Sequence, residues 1–449
     1  VDTQAFFRDI VAAQKRGSAA GVCSVCSAHP VVLEAAMLQA LRDNRPLLVE
    51  STVNQVNQLG GYTGMTPKDF KSFLESRAEA ADFPRDRIIL GGDHLGPYPW
   101  RSLPAERAMA LARELVTACV RAGYAKIHLD ASMPLAGDLA GGADAPRLAA
   151  QREAELAQAA EEAFREYAST PLDASARPVG NPPVYVIGTE VPAPGGVAIG
   201  AAPAEDGAAV TAPDELRQTV DLCEEAFREL GLGDAWQRVI ACVAQPGVEF
   251  GNRSVQRYDR GKAAALCRAA RAMPSIVIEG HSTDYQSAAA LRQLVEDGVA
   301  ILKVGPALTF AMRECLFSLE AIEREIMPRL GERRPSLLSE TLDRAMVENP
   351  VYWKDYYRGS DPELRLSRAY SFSDRCRYYW TVPEVQKSVA LLMGNLRAAE
   401  IPPPLLSQHM PLLYRRVVEG SCAALPEPLV RESVSVVLES YTAATTPGA

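Results

Sequence analysis

Five histidines occur in the 449 residues, and two of them stand beside carboxylates in short glycine-flanked motifs. His94 lies in Gly91-Gly-Asp-His-Leu-Gly96, and His281 lies in Glu279-Gly-His-Ser-Thr-Asp284. Imidazole with carboxylate is ordinary ligation for a divalent zinc, manganese or nickel ion, with a position left open for substrate. The competing reading makes each a loop histidine hydrogen-bonded to its neighbour. Other polar groups follow short apolar runs in the same way: Glu50, Asp93, Asp130, Glu190, Gln245, Glu249, Glu279, Asp284 and, on the last run, Lys303. His128 has the strand parity of Lys126 and Asp130, which turns it inward either as a paired core residue or as support for a site. His29, before a proline, reads as a helix-start residue, and His409 as structural.

The runs that precede these groups cover residues 21–26, 46–52, 87–90, 126–130, 184–190, 239–245, 275–279 and 299–303. Amphipathic stretches separate them, several opening with proline, and Thr66-Pro67-Lys-Asp69 reads as an N-cap followed by the first helical turn. Parallel strands buried on both faces appear as continuous Val/Ile/Leu runs, so eight such β-then-α units predict a (β/α)8 TIM barrel over residues 1–327. A doubly wound open sheet is the alternative. Active sites of such barrels collect at the carboxyl ends of the strands, where the polar residues fall. Residues 328–449 lose the alternation and read as a mostly helical C-terminal region packed on the barrel. Two long connections rich in small residues, 131–146 and 194–213, are candidate lids or insertions.

Composition narrows the function classes. Lys+Arg number 47 against 56 Asp+Glu, a formal charge of −9, so no basic surface is on offer to a nucleic acid. No apolar run approaches the 18 or so residues that span a bilayer, which predicts no membrane partner and a cytoplasmic protein. Nine scattered cysteines fit reduced thiols, and Cys23-Ser-Val-Cys26 reads as part of a core strand. Neither GxxxxGK[ST] nor a strand-following GxGxxG is present, which disfavours P-loop kinases and Rossmann dehydrogenases.

The wording of several motifs is more specific. Val49-Glu-Ser-Thr-Val-Asn-Gln-Val-Asn-Gln-Leu-Gly-Gly-Tyr-Thr-Gly-Met65, Gly91-Gly-Asp-His-Leu-Gly-Pro97, Gly188-Thr-Glu-Val-Pro192, Gln245-Pro-Gly-Val-Glu-Phe250, Glu279-Gly-His-Ser-Thr-Asp-Tyr-Gln286 and Lys303-Val-Gly-Pro-Ala-Leu-Thr-Phe310 together resemble the family of the D-tagatose-1,6-bisphosphate aldolase accessory subunit. The match runs from the first strand to the segment Arg375 to Trp380. The family includes proteins labelled non-catalytic subunits or tagatose-6-phosphate kinases, and others that act alone as D-tagatose 6-phosphate 4-epimerases. The resemblance implies a barrel of class II aldolase type.

Carried over by that resemblance, Asp93 and Glu190 are the candidate catalytic carboxylates, and His94, His281, Glu279 and Gln245 the candidate ligands of a zinc, manganese or nickel ion. Gln245-Pro246-Gly247 stands where a class II aldolase has a further metal histidine. Glu50, Asn54, Gln55, Asp130, Ser282, Thr283, Asp284, Lys303, Gly305 and Arg375 are candidates for holding a ketohexose phosphate, with Arg377 as an alternative to Arg375 at the phosphate. The implied activity is metal-dependent interconversion of D-tagatose 6-phosphate and D-fructose 6-phosphate. Two alternatives remain: an accessory subunit that stabilises a class II aldolase partner, and an aldolase in its own right. A homo-oligomer is compatible with all three.

Overall fold

The computed structural model describes residues 1–138, 144–169, 181–189 and 209–447. Eight parallel strands close into a barrel: β1 (Val22–Val25), β2 (Leu47–Thr52), β3 (Ile88–Leu95), β4 (Lys126–Leu129), β5 (Val184–Ile187), β6 (Val239–Val243), β7 (Val277–Gly280) and β8 (Val299–Val304). These are the eight runs expected from the sequence, in that order around the ring. Closure is made by β1 on β8, with Val22 opposite Ile301 and Val25 opposite Val304. A two-stranded hairpin, Glu249–Phe250 with Val255–Gln256, follows β6.

Side chains on alternate positions serve two cores. One lies between strands and surrounding helices. The other fills the barrel's lower interior with Val22, Leu48, Ile89, Val186, Ala241 and Ile301. Helix Thr3–Lys15 stoppers that end, burying Phe7, Ile10 and Val11 in the same cluster. The interior is therefore apolar at the amino ends of the strands and polar at their carboxyl ends, as expected for a barrel whose chemistry sits at the top.

The last helix, Pro426–Thr445, packs on helices Pro30–Arg42, Ala288–Glu296 and Pro306–Ile326. It also touches the barrel directly: Tyr441 Oη donates to the Thr283 carbonyl at 2.9 Å, and Gly21 N donates to the Thr445 carbonyl at 3.1 Å. Helix Pro383–Ala398 and the 3-10 turn Arg375–Tyr379 bring C-terminal side chains over the barrel mouth. All nine cysteines are free. Among the described residues, no helix is long and apolar enough to cross a membrane.

Strand β3 departs from regular pairing where the chemistry begins. Its register against β4 shifts between Gly92 and Leu95, and His94 adopts φ +52. Neighbouring side chains on a regular strand point to opposite faces. The bulge at this point lets Asp93 and His94 both reach the mouth. Gly96 completes the departure, since a Cβ there would fall 1.7 Å from the Asp130 carbonyl oxygen.

Candidate active site

Five strands deliver ionisable side chains to one buried layer. Lys126 on β4 is fully buried and lies 2.8 Å from both Glu50 Oε1 of β2 and Glu279 Oε2 of β7. Ser24 of β1 donates to Glu50 Oε1 at 2.7 Å. Above this row Lys303 of β8 lies 3.4 Å from Glu50 Oε2 and 3.2 Å from Glu279 Oε1, and it contacts Asp93 Oδ1. Two ammonium groups thus face three carboxylates. Charges this deep are tolerated only when paired. Burial alone would raise the carboxyls of Asp93 and Glu279, but His94, Lys303 and Lys126 outweigh it and hold both well below the usual carboxylate range.

Three imidazoles crown the layer. The rings of His94, His128 and His281 form a near-equilateral triangle, with centroids 4.9 to 5.1 Å apart. His94 Nδ1 is 2.7 Å from Asp130 Oδ2. Burial would raise the Asp130 carboxyl, but the His94 hydrogen bond and charge bring it down to about 2. His281 Nε2 is 3.1 Å from Glu279 Oε1, and burial, reinforced by Lys303, pushes that imidazole down to about 3, the neutral, ligating form.

His128 is fully buried, with Nδ1 3.0 Å from Asp93 Oδ1 and 3.1 Å from the His94 backbone N. The His94 N–H donates to this nitrogen, whereas an ion bound at Nε2 would fix the proton on Nδ1 toward the stronger, ionised partner Asp93, at the cost of that backbone bond. Nε2 has no hydrogen-bond partner despite being buried. Buried nitrogens are rarely left so. One ligand atom from each of Asp93, His128, Glu279 and His281 lies within 4.8 Å of the others. An orphaned imidazole, a neutral imidazole and two ionised carboxylates are a donor set that suits a divalent ion such as zinc or manganese.

The group opens onto a cavity of about 430 Å³ between the barrel mouth and the C-terminal region. Asn54, Gln55, Ser282, Asp284 and Gly305 line it along with Asp93, His94, His281 and Lys303. Several of these are already engaged. Gln55 Oε1 accepts from Thr52 N, and Thr283 Oγ1 donates to the Lys303 carbonyl at 2.6 Å. Gly305 N and Ala307 N both donate to Asp284 Oδ1, at 3.1 and 2.8 Å.

Two expected residues make their hydrogen bonds away from the cluster. Gln245 turns its Oε1 back onto Gly247 N and Val248 N at 2.9 and 3.0 Å, capping its own loop. Arg375 stacks on Tyr356 and donates to the Tyr352 carbonyl. Glu190 lies outside the described residues, as do parts of both long connections. Conversely, His128, which parity left undecided, sits at the centre. Lys126, Ser24 and Arg377 also belong to the site or its wall, and an inward-pointing lysine flanked by apolar strand residues was the signal for the first of them.

The sequence model for the D-tagatose-1,6-bisphosphate aldolase subunit GatZ/KbaZ-like family matches residues 7–446. The chain is also similar to a solved structure from Sinorhizobium meliloti described as a probable tagatose 6 phosphate kinase. The two share 45% identity over 94% of this chain and 100% of that one, with a TM-score of 0.83. More distant likeness extends to a fructose-bisphosphate aldolase from Campylobacter jejuni (12% identity, 89% and 93% covered, TM-score 0.42). It extends also to a fructuronate-tagaturonate epimerase from Cohnella laeviribosi (11% identity, 94% and 81% covered, TM-score 0.48).

Proposed function

The chain belongs to the D-tagatose-1,6-bisphosphate aldolase subunit GatZ/KbaZ-like family, and from that premise we propose that it is a metal-dependent 4-epimerase interconverting D-tagatose 6-phosphate and D-fructose 6-phosphate. The observation that carries this reading is the cluster of Asp93, His128, Glu279 and His281, each with a ligand atom within 4.8 Å of the others, beside an accessible cavity that Asp93 and His281 line, with His128 Nε2 lacking any hydrogen-bond partner.

Inversion at C4 of a 2-ketose cannot proceed by simple loss of the C4 hydrogen, which is β to the carbonyl and not acidic. The bond that can break is C3–C4. A base takes the C4 hydroxyl proton, the C3–C4 electron pair passes toward the C2 carbonyl as an enediolate, and an aldehyde remains at C4. Turning the aldehyde, re-forming the bond and returning the proton gives the epimer with no net release of fragments. A divalent ion held by Asp93, His128, Glu279 and His281 would supply Lewis acidity for the enediolate.

The proton is assigned to His94. Asp93 is held ionised by its cationic neighbours and is a weak base, which fits it to ligation better than to the proton-transfer role expected from sequence. His94 faces the cavity with one nitrogen fixed by Asp130, an arrangement that orients an imidazole. Asn54 on the cavity wall is suited to sugar hydroxyls. The whole arrangement should turn over one ketohexose phosphate into the other when manganese, zinc or nickel is supplied, and cease on chelation; inactivity with every metal would remove the proposal.

A second reading is favoured by the family's own description as an aldolase subunit: a stabilising partner of a class II aldolase. Fully buried charges are expensive, and well-packed apolar residues would stabilise a purely structural barrel as well or better. The layer around Lys126 and Lys303 therefore weighs toward chemistry. Thermal stabilisation of a class II aldolase by the added chain, without turnover of its own, would favour the accessory role.

A further inference from the structure

The phosphoryl group of a sugar phosphate needs a seat, and in barrels of this type the loops after the last two strands are the habitual place. Here that place is taken. The N–H groups that open helix Pro306–Ile326 at Gly305 and Ala307 are bonded to the buried carboxylate of Asp284. Thr283 Oγ1 is spent on the Lys303 carbonyl. A phosphate brought to this helix would meet a carboxylate where it needs donors.

The positive charges of the cavity are few. Among the described residues lining it, Lys303 and Arg377 are the lysine and the arginine. Lys303 is surrounded by Glu50, Asp93 and Glu279. Arg377 has no carboxylate within ion-pair distance among the described residues. Its guanidinium donates to the carbonyls of Ser373 and Asp374 and, at 3.0 Å, to Tyr378 Oη. That fixes the group in place without a direct ion pair, with Asp374 and Asp284 acting on its charge only from farther off, and leaves it able to take an anion. The connections after β4 and β5 cannot add cations, because residues 131–146 and 190–208 contain neither Lys nor Arg.

Resting on the epimerase reading, we propose that Arg377 is the single phosphate seat of this cavity and that Asp284 closes the second one, so that the chain takes a ketohexose monophosphate and rejects the 1,6-bisphosphate. Arg377 is then a substrate-binding residue and Asp284 a specificity residue.

Calorimetry on the full chain with manganese present tests this, using D-fructose 6-phosphate, D-fructose 1,6-bisphosphate and inorganic phosphate as probes. The unmodified chain should bind the monophosphate and gain nothing from the second phosphoryl group. Arg377→Met should weaken monophosphate binding by about tenfold or more, with Arg377→Lys recovering part of it. Asp284→Asn, which keeps an oxygen for Gly305 N and Ala307 N but removes the charge, should improve bisphosphate binding relative to monophosphate. Bisphosphate binding tenfold tighter than monophosphate in the unmodified chain, or monophosphate affinity indifferent to Arg377→Lys and Arg377→Met, would overturn the proposal. The comparison of ligands on the unmodified chain needs no variant to fold. Monophosphate binding through Arg377 without turnover would contradict the epimerase reading alone, whereas turnover indifferent to Arg377 would contradict this inference alone.

Discussion

His94 Nδ1 stands 2.7 Å from Asp130 Oδ2, and both side chains are buried at the barrel mouth. The pair fixes which nitrogen faces the substrate. Asp130→Asn keeps the shape and removes the carboxylate that orients His94. Its expected effect is a fall in kcat of about 10²–10³-fold with little change in KM. A loss confined to KM would assign Asp130 to substrate binding instead.

His128 makes the sharpest prediction about the metal. Its Nε2 has no hydrogen-bond partner, and His128→Phe removes it together with the Nδ1 contacts to Asp93 and the His94 N–H. Chain dialysed against manganese or zinc should retain one ion per protomer, and the variant should retain less than about a tenth of that under the same conditions. Unchanged metal content would show that the ion, if any, is held elsewhere.

Lys126 tests the stability side of the same layer. Its ammonium lies 2.8 Å from Glu50 and from Glu279 with no exposure to solvent. Lys126→Met leaves two carboxylates facing each other across Lys303 alone, and breaking a buried pair in this way costs about 3–5 kcal/mol. Denaturant unfolding should show the loss. A change under about 1 kcal/mol would mean that water or relaxation screens the layer.

Much of this architecture was legible in the sequence, for reasons that can be named. Strands such as β6 and β8 are covered on both faces, so they read as unbroken apolar runs, and their carboxyl ends announce themselves by an abrupt polar residue. That is how Asp93, His94, Glu279 and His281 could be chosen. The bulge at His94 could not be read, because it depends on Leu95 shifting its pairing with β4. His128 and Lys126 were ambiguous because parity gives a direction and no partner. Gln245, Asp284 and Arg375 each have the right residue type near the mouth, yet their hydrogen bonds go to nearby backbone groups, which spacing does not reveal. Arg375 and Arg377 lie two apart on a 3-10 turn, where successive side chains diverge by about 120°, so which of them faced the cavity had to be seen.

Asp284 gives a pH signature. Burial pushes its carboxyl up to about 6 from 3.8, against the Ala307 and Gly305 N–H groups that favour the ionised form. With the folded value above the unfolded one, the contribution to stability is full below the unfolded value and is lost as pH rises through the folded one. Asp284→Asn does not titrate. The variant should therefore gain on the unmodified chain between pH 4 and pH 7, by about 3 kcal/mol at most. Parallel stability curves over that range would contradict the assignment.

With a divalent ion at the His128 cluster, this chain alone should invert C4 of a ketohexose phosphate. The most direct measurement incubates the isolated chain with D-fructose 6-phosphate and manganese, zinc or nickel, resolving the hexose epimers and trapping any triose released. D-Tagatose 6-phosphate should accumulate to equilibrium, chelator and His128→Phe should each abolish the conversion, and no net triose should appear. Absence of the epimer with every metal, or stoichiometric release of triose in its place, would contradict the epimerase reading.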